Sequence, residues 1–453
     1  MTARAGSGKV HVVGGGLAGL AAAVALMQAG RPVRLYEASA HAGGRCRSYF
    51  DAGLGCRLDN GNHLLLSGNK RALAYLEAIG ARHTLEDARQ AAFPFFDALS
   101  RQRWVLRPNR GRLPWWILHP SRRVPGTRPA DYLEALALRK AAPTARVAEV
   151  LDRTRPLFAR LWMPLAVAAL NTGVEEASAQ LFWRVLAETL GRGGDACRPL
   201  MPRDGLSETF VDPALDALRR GGAAVFFGAR LRGLDFADED VRGLRFDTGA
   251  VDLAAGEQVI LATPALVAAR LLPGLTVPDR YAPIVNAHFR YSIAAPAPAF
   301  IGVIAGTAEW IFRKRAVVSV TVSAAERIVD RSPEELAALL WRDTAAAYAL
   351  PAAPLPPSRI VKERRATFLA EPAQLLRRPQ LATRWRNLVL AGDYTHTGLP
   401  ATIEGAIASG FAAAARLLRR HSGCESERGP RRSPAVPVMG RKQQRLLVEC
   451  LTD

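Results

Sequence analysis

The hydrophobic pattern changes character several times along the chain. Lys9–Val13 is a short apolar run, and glycines follow it at once. Leu17–Ala29 is an unbroken set of helix formers ended by Gly30, and Pro32–Glu37 returns to an apolar run. This predicts strand, turn, helix and strand, with Gly30 as a helix C-cap. Further on, the runs Val225–Phe227, Leu231–Phe236, Val241–Phe246 and Gln258–Leu261 are separated by turn residues and predict strands. The segments LFARLWMPLAVAALNT (157–172) and AQLFWRVLAETLG (179–191) are apolar on several faces, the pattern of buried helices or of a tunnel lining. Pro351–Ser358 reads as a connector. Leu390–Gly410 runs from an apolar strand through Gly-Asp and a polar turn into a helix with Glu404 in its first turn. From His421 to the end, Pro, Ser and charges mix without a period and predict disorder, apart from a possible short helix in RKQQRLLVECL.

Composition narrows the class. A chain of 453 residues, 49% apolar and 23% charged, is globular, with two or three domains. Its five cysteines are scattered and lack metal-ligand spacing, so no metal site and a reduced, cytoplasmic setting are expected. No apolar run reaches the roughly 18 residues of a membrane span, and a first strand at Lys9 leaves no room for a signal peptide. The net charge of +20 either reflects an arginine-rich genome or attracts the chain to an anionic surface. Arg101–Arg128 sharpens that choice, since it holds eight arginines and no acid, interleaved with Trp104, Trp115, Trp116, Ile117 and Leu118. This is the mixture of a membrane interface. Single-stranded nucleic acid is the rival partner, and the apolar middle of the chain favours the membrane over it.

The chemistry begins in the first turn. Gly14, Gly16 and Gly19 form G-x-G-x-x-G between a predicted strand and helix. The first glycine permits the tight turn, the second the approach of a pyrophosphate, and the third close packing of helix on sheet. The pyrophosphate would sit at the helix start, where Leu17 and Ala18 belong to the first turn. Glu37, at the end of the second strand, can accept from ribose hydroxyls, which favours FAD or NAD over NADP. An NAD domain would continue with another helix and strand. Here Gly43, Gly44 and Arg45 follow instead, offering close backbone approach and a fixed cation to a diphosphate or flavin edge. The polar turn Asn60, Gly61, Asn62 and His63 lies shortly after and reads as a position beside the isoalloxazine.

Together these motifs, with the 221–264 strands and AGDYTHTGLPATIEGA, resemble the flavin amine oxidase and phytoene desaturase superfamily over residues 9–420. Within it, LDNGNHLLLSGN, GLPATIEGA and GLSETFVDPALDALRRGGAAV resemble the hydroxysqualene dehydroxylases of bacterial hopanoid synthesis. The resemblance implies an α/β fold with a discontinuous Rossmann-like FAD-binding domain (8–70, 200–281, 382–420) and an inserted α+β substrate domain (71–199, 282–381). It implies that the glycines and Arg45 hold the diphosphate and Glu37 the adenine ribose. The backbone at Leu231 would face the adenine, and Gly392 and Asp393 the ribitol. The backbone at Thr402 and Ile403 would face the flavin pyrimidine. A helix N-terminus there also suits the negative charge of reduced flavin near N1 and O2. Tyr394-Thr395-His396 departs from the tryptophan-containing turn of the family.

The implied activity is reduction of hydroxysqualene to squalene, and the Arg101–Arg128 belt would seat the enzyme on the cytoplasmic side of the inner membrane. An allylic hydroxyl leaves with help from a proton donor, for which His63 and then His396 are the candidates. A phytoene-type desaturase, an amine oxidase and a non-catalytic lipid-binding flavoprotein are the alternatives. No second nucleotide loop is present for a nicotinamide donor.

Overall fold

A computed structural model of the chain describes residues 8–351 and 354–425. One layer is a parallel sheet of β1 (Val10–Val13), β2 (Val33–Tyr36), β3 (Ala224–Phe226), β4 (Gln258–Leu261) and β5 (Leu388–Leu390), in the order β3-β2-β1-β4-β5. Parallel strands covered on both faces are apolar throughout rather than alternating, and every residue of β1 is buried. The order places β4 and β5, late in the chain, on the same side of β1.

Helix α1 (Leu17–Gln28) covers one face and is buried from Leu17 to Leu26. The final helix, α2 (Ile403–Glu425), lies against it. Small residues set that crossing. A Cβ on Gly410 would fall 2.2 Å from the Ala18 carbonyl oxygen and 3.1 Å from the Ala21 Cβ. The stretch expected to lack structure from 421 thus begins as helix; 426–453, with the short helix expected in RKQQRLLVECL, lies outside the described residues. Residues 352 and 353 of the predicted connector lie outside them too.

The 221–264 block contains the expected strands and one more. Leu231–Ala237, Asp240–Phe246 and Gly249–Asp252 form an antiparallel meander, while Ala224–Phe226 and Gln258–Leu261 return to the parallel sheet. A second layer is a sheet of seven strands, in the order Ser358–Phe368, Tyr281–Arg290, Val317–Val322, Trp310–Lys314, Phe300–Ile304, Phe93–Asp97 and Arg103–Leu106. Phe95, Phe300, Trp310 and Phe312 on one face pack against the helical segments 158–170 and Ala179–Glu188. Ile301, Ile311, Val318 and Val320 on the other face pack against the helix Pro333–Tyr348. Leu161 and Phe182 of the apolar helices are core, whereas Met163, Val167 and Trp183 are only partly buried against the same cluster.

Two strands of this sheet, Phe93–Asp97 and Arg103–Leu106, lie where the sequence pattern predicts no strand. The second cuts into the basic stretch, so Trp104 is buried and stacks on Phe95 with ring centroids 5.6 Å apart. Trp116 and Ile117 are buried as well. The expected belt over Arg101–Arg128 therefore narrows to the exposed Leu113, Trp115 and Leu118 with their arginines.

The α1–α2 crossing gives a first test. Gly410→Val should cost about 1–3 kcal/mol through forced separation of the helices, read as a lower Tm than that of the unsubstituted protein. An unchanged Tm would contradict the close crossing.

Candidate functional site

The site is built on the C-terminal edge of the parallel sheet. Gly14 leaves β1 at φ 113°, a conformation L side chains rarely adopt, and its amide donates to the Tyr36 carbonyl at 2.7 Å. α1 then starts at Leu17 with its first amides free of intrahelical acceptors. Helix and loop meet without room for a side chain, since a Cβ on Gly19 would lie 1.9 Å from the Gly14 oxygen. A Cβ on Gly16 would meet nothing within 4 Å, so the loop is open on the side where an anion must approach.

The second glycine turn docks on the first. The Gly43 amide donates to the Gly15 carbonyl at 2.8 Å, and a Cβ on Gly44 would lie 3.5 Å from the Gly16 Cα. Glu37 closes the loop from β2: its carboxylate accepts from the amides of Gly15 and Ser39, both at 2.8 Å. The backbone of Glu37 pairs with Phe226 and Ala229, which brings the segment entering Leu231 alongside it. Gly14–Gly19, Glu37, Gly43–Arg45 and Leu231 are thus one constellation.

Arg45 reaches across to the far end of the chain, donating to the Ala366 carbonyl and forming an ion pair with Asp393. Its side chain keeps 48% exposure although it lies among interior segments, so it faces an internal space. Asp393 sits in a turn stitched by a residue that sequence reading did not single out, Arg378. Its guanidinium donates to the carbonyls of Leu399 (2.8 Å), Asp393 (3.0 Å) and Thr395, and to the Thr397 hydroxyl (2.9 Å). Burial pulls the Arg378 pKa down to about 10, partly countered by Asp393. The Tyr394–Thr397 turn, the departure from the family pattern, is therefore held from within. Tyr394 is buried, and His396 is exposed with its amide on the Pro379 carbonyl at 2.8 Å.

Thr402 caps α2 by accepting from the Gly405 amide at 3.1 Å. The amides of Ile403 and Glu404 stay without intrahelical acceptors, a positive helix end next to the turn. The Glu404 side chain points away to another helix. Its carboxylate accepts from the amides of Arg71 (2.9 Å) and Ala72 (2.8 Å), capping the helix Lys70–Ala78, whose own Asn69 makes no side-chain cap. Burial raises the Glu404 pKa.

The Asn60–His63 turn is fastened to the seven-stranded sheet by a closed polar ring. Asn62 donates to the Thr321 hydroxyl (3.1 Å), Thr321 to the Asn286 side chain (2.8 Å), and Asn286 to the Asn60 carbonyl (3.3 Å). Asn286 and Thr321 are cross-strand partners. Below the turn, Asp59 is buried against Lys314, the Ser48 hydroxyl (2.7 Å) and the Leu206 amide (2.9 Å). His63 follows, deep but partly accessible, and burial lowers its pKa to about 4, partly offset by Asp59. At neutral pH its imidazole is uncharged. Gly61 is close by, a Cβ there lying 3.9 Å from the His63 Nε2.

These features fit a flavin dinucleotide. Besides the open side of Gly16, the buried Thr263 hydroxyl, Asn62 Oδ1 and Tyr394 hydroxyl have no protein hydrogen-bond partner among the described residues. Thr263 adjoins the loop, its amide 3.3 Å from a Cβ built on Gly14. Arg378, Asn286 and Thr321 carried no local signal in the sequence; Arg378 is half of an arginine pair in a chain with 61 lysines and arginines.

The profile described as "Flavin containing amine oxidoreductase" matches residues 17–418. The chain is 48% identical to a hydroxysqualene dehydroxylase of Rhodopseudomonas palustris over 410 residues, covering 90% of this chain and 98% of the relative. A hydroxysqualene dehydroxylase of Zymomonas mobilis is 45% identical over 404 residues, covering 89% of this chain and 97% of that one. Among solved structures, a putrescine oxidase double mutant superposes with a TM-score of 0.66 at 16% identity, covering 91% of this chain and 99% of the other, a likeness of fold alone. With its glycine loop, second glycine turn and distant Gly-Asp turn closed on one another, the chain belongs to the flavin containing amine oxidoreductases, in the group of the hydroxysqualene dehydroxylases.

Proposed function

We propose that the protein is an FAD-dependent oxidoreductase that reduces hydroxysqualene to squalene with loss of water. The observation that carries this reading is 48% identity across 98% of a hydroxysqualene dehydroxylase. FAD, when bound, supplies the hydride. The backbone of Gly16–Gly19 and the Gly44 turn would hold its diphosphate, with Arg45 as counter-charge and Glu37 at the adenine ribose. Leu231 would back the adenine, and Gly392 and Asp393 would meet the ribitol. The free amides at Ile403 and Glu404, behind the Thr402 cap, would hold the negative end of the ring.

The remaining residues shape the reaction space. The turn at Gly61, Asn62 and His63 borders it, fixed by Asn286 and Thr321. A neutral His63 suits orienting the substrate hydroxyl by a hydrogen bond rather than protonating it. His396, on the exposed side of the Tyr394–Thr397 turn, is a second polar group at that edge. Met163, Val167 and Trp183, partly buried beside the aromatic face of the sheet, suit a long isoprenoid and keep water from the allylic carbon.

The substrate is lipid-borne, and a face for reaching it lies on the substrate domain. Leu113, Trp115 and Leu118 are 80%, 46% and 62% exposed. Arg122 lies over the Trp115 ring, 4.8 Å from its centroid, and Arg110 is 92% exposed. Exposed apolar side chains among arginines suit shallow insertion into an anionic leaflet at the cytoplasmic side. Among the described residues no helix is long and apolar enough to cross a membrane.

Three measurements check this reading. Reduced, FAD-loaded protein should convert hydroxysqualene to squalene and leave phytoene unchanged; desaturated phytoene without squalene would favour the desaturase alternative. Arg378→Lys keeps the charge but cannot make the same set of bonds, so FAD Kd should rise by about 10-fold, one to two lost hydrogen bonds to a charged group; an unchanged Kd would remove the Asp393 turn from the site. Combined Arg110→Glu, Arg112→Glu and Trp115→Ala should weaken co-sedimentation with anionic vesicles by roughly 10-fold or more, at about 1 kcal/mol per basic residue, without altering FAD occupancy. Undiminished binding would eliminate this face as the contact.

A further inference from the structure

The polar ring that fastens the Asn60–His63 turn can run in one direction only. It starts at the Asn60 carbonyl, which can only accept, so Asn286 presents its NH2 there (3.3 Å) and its Oδ1 to Thr321. The Thr321 hydroxyl has a single hydrogen and donates it to that Oδ1 (2.8 Å), so its oxygen accepts from the Asn62 NH2 (3.1 Å). Turning over either amide would set two donors or two acceptors against each other. The ring therefore ends on Asn62 Oδ1, an acceptor that is buried and without a hydrogen-bond partner among the described residues. Such an atom is costly unless a donor meets it.

Its place in the fold narrows the donor. Thr321 pairs across the sheet with Asn286 and with Trp310, so these side chains share one face. On that face Trp310 packs with Phe300 and Phe312 against the helical lobe. Leu64 and Leu66, just past the turn, pack against the same cluster, as do the partly buried Met163 and Val167. This sets Asn62 Oδ1 apart from the Thr263 hydroxyl, which adjoins the glycine loop. His63 lies on the same side of the turn: a Cβ on Gly61 would stand 3.5 Å from Asn286 Nδ2 and 3.9 Å from His63 Nε2. The deep His63 keeps accessible surface, so an interior space adjoins the turn. An unpaired acceptor and an imidazole thus stand together at the edge of an otherwise apolar face.

We propose that Asn62 Oδ1 accepts the hydrogen of the substrate hydroxyl, and that this bond selects an isoprenoid alcohol over an isoprenoid hydrocarbon. The inference rests on the hydroxysqualene reading above and deepens it. The uncharged His63 imidazole at the same edge can donate to the oxygen of that hydroxyl, so a group that both donates and accepts is matched on both counts. A hydrocarbon chain fills the apolar face equally well but leaves Oδ1 without a donor, and a site built around a hydroxyl rejects the analogue that lacks it. The rival donor is the N5–H of reduced flavin; in that case loss of Asn62 would disturb the flavin and leave the choice of ligand alone.

The test uses FAD-loaded wild type, Asn62→Leu and Thr321→Val. Binding of hydroxysqualene and of squalene to the oxidised protein is followed through the flavin absorbance, and the flavin reduction potential is measured for each protein. Wild type should bind hydroxysqualene about 10-fold or more tightly than squalene. Asn62→Leu should bind the two alike at an unchanged potential. Thr321→Val keeps Asn62 but frees its amide to turn, and should narrow the preference. Because the ratio is taken within one protein, general damage to the apolar face lowers both affinities and leaves the ratio as it was. A wild-type ratio in Asn62→Leu would overturn the assignment, and a shifted potential with the ratio intact would give the donor to the flavin instead. If Asn62→Leu takes up no FAD, Thr321→Val decides, and a wild-type ratio there would overturn the assignment. Failure of reduced wild type to make squalene from hydroxysqualene would overturn the substrate reading; a wild type that makes squalene yet binds both ligands alike would overturn the Asn62 role alone.

Discussion

The ion pair between Arg45 and Asp393 is the contact on which the rest of the site depends, because it joins the two segments that sheet order brings together. A charge pair away from bulk water contributes little net stability once desolvation is counted. What it sets is position. Arg45 is carried by a glycine turn whose backbone lies on the Gly14–Gly19 loop, and Asp393 by a turn that Arg378 holds through carbonyls. Each partner is thus anchored to rigid backbone before the two meet, which is what a preorganised ligand cradle requires.

The same economy of side chains runs through the nucleotide half. Gly19 and Gly410 each stand where a Cβ would clash with backbone, so loop and last helix approach α1 as bare main chain. Around the seven-stranded sheet the reverse holds. Aromatic residues fill one face of the large sheet, and the few polar groups there, Asn286, Thr321 and Asn171, each tie two segments together. Buried polar groups that are fully paired in this way fix a unique arrangement. The boundary between the two halves is where the proposed chemistry lies.

How much of this was legible in the sequence follows from the range of the interactions. β1, α1 and β2 were readable with their ends nearly right, because period, glycine spacing and capping act over a few residues. Glu37 was readable for the same reason. The strands Phe93–Asp97 and Arg103–Leu106 were not, since they are short and their place in the sheet is set from elsewhere in the fold: Phe93–Asp97 pairs with Phe300–Ile304. Arg378 is one arginine among many until its four acceptors fold around it. Glu404 was readable as an acid in a first helical turn, yet it caps a helix that begins at Lys70. The basic stretch was read as one belt because its pattern cannot tell Trp104, which faces the core, from Trp115, which faces solvent.

We propose that one FAD bridges the segment 14–45 and the segment 392–403. A crystal structure of the FAD-loaded protein tests it most directly. The account predicts the diphosphate on the Gly14–Gly19 and Gly43–Arg45 backbones, and the flavin pyrimidine at the start of α2. A flavin whose ring lies away from Thr402 and Ile403, or a diphosphate not touching the glycine loop, would contradict it.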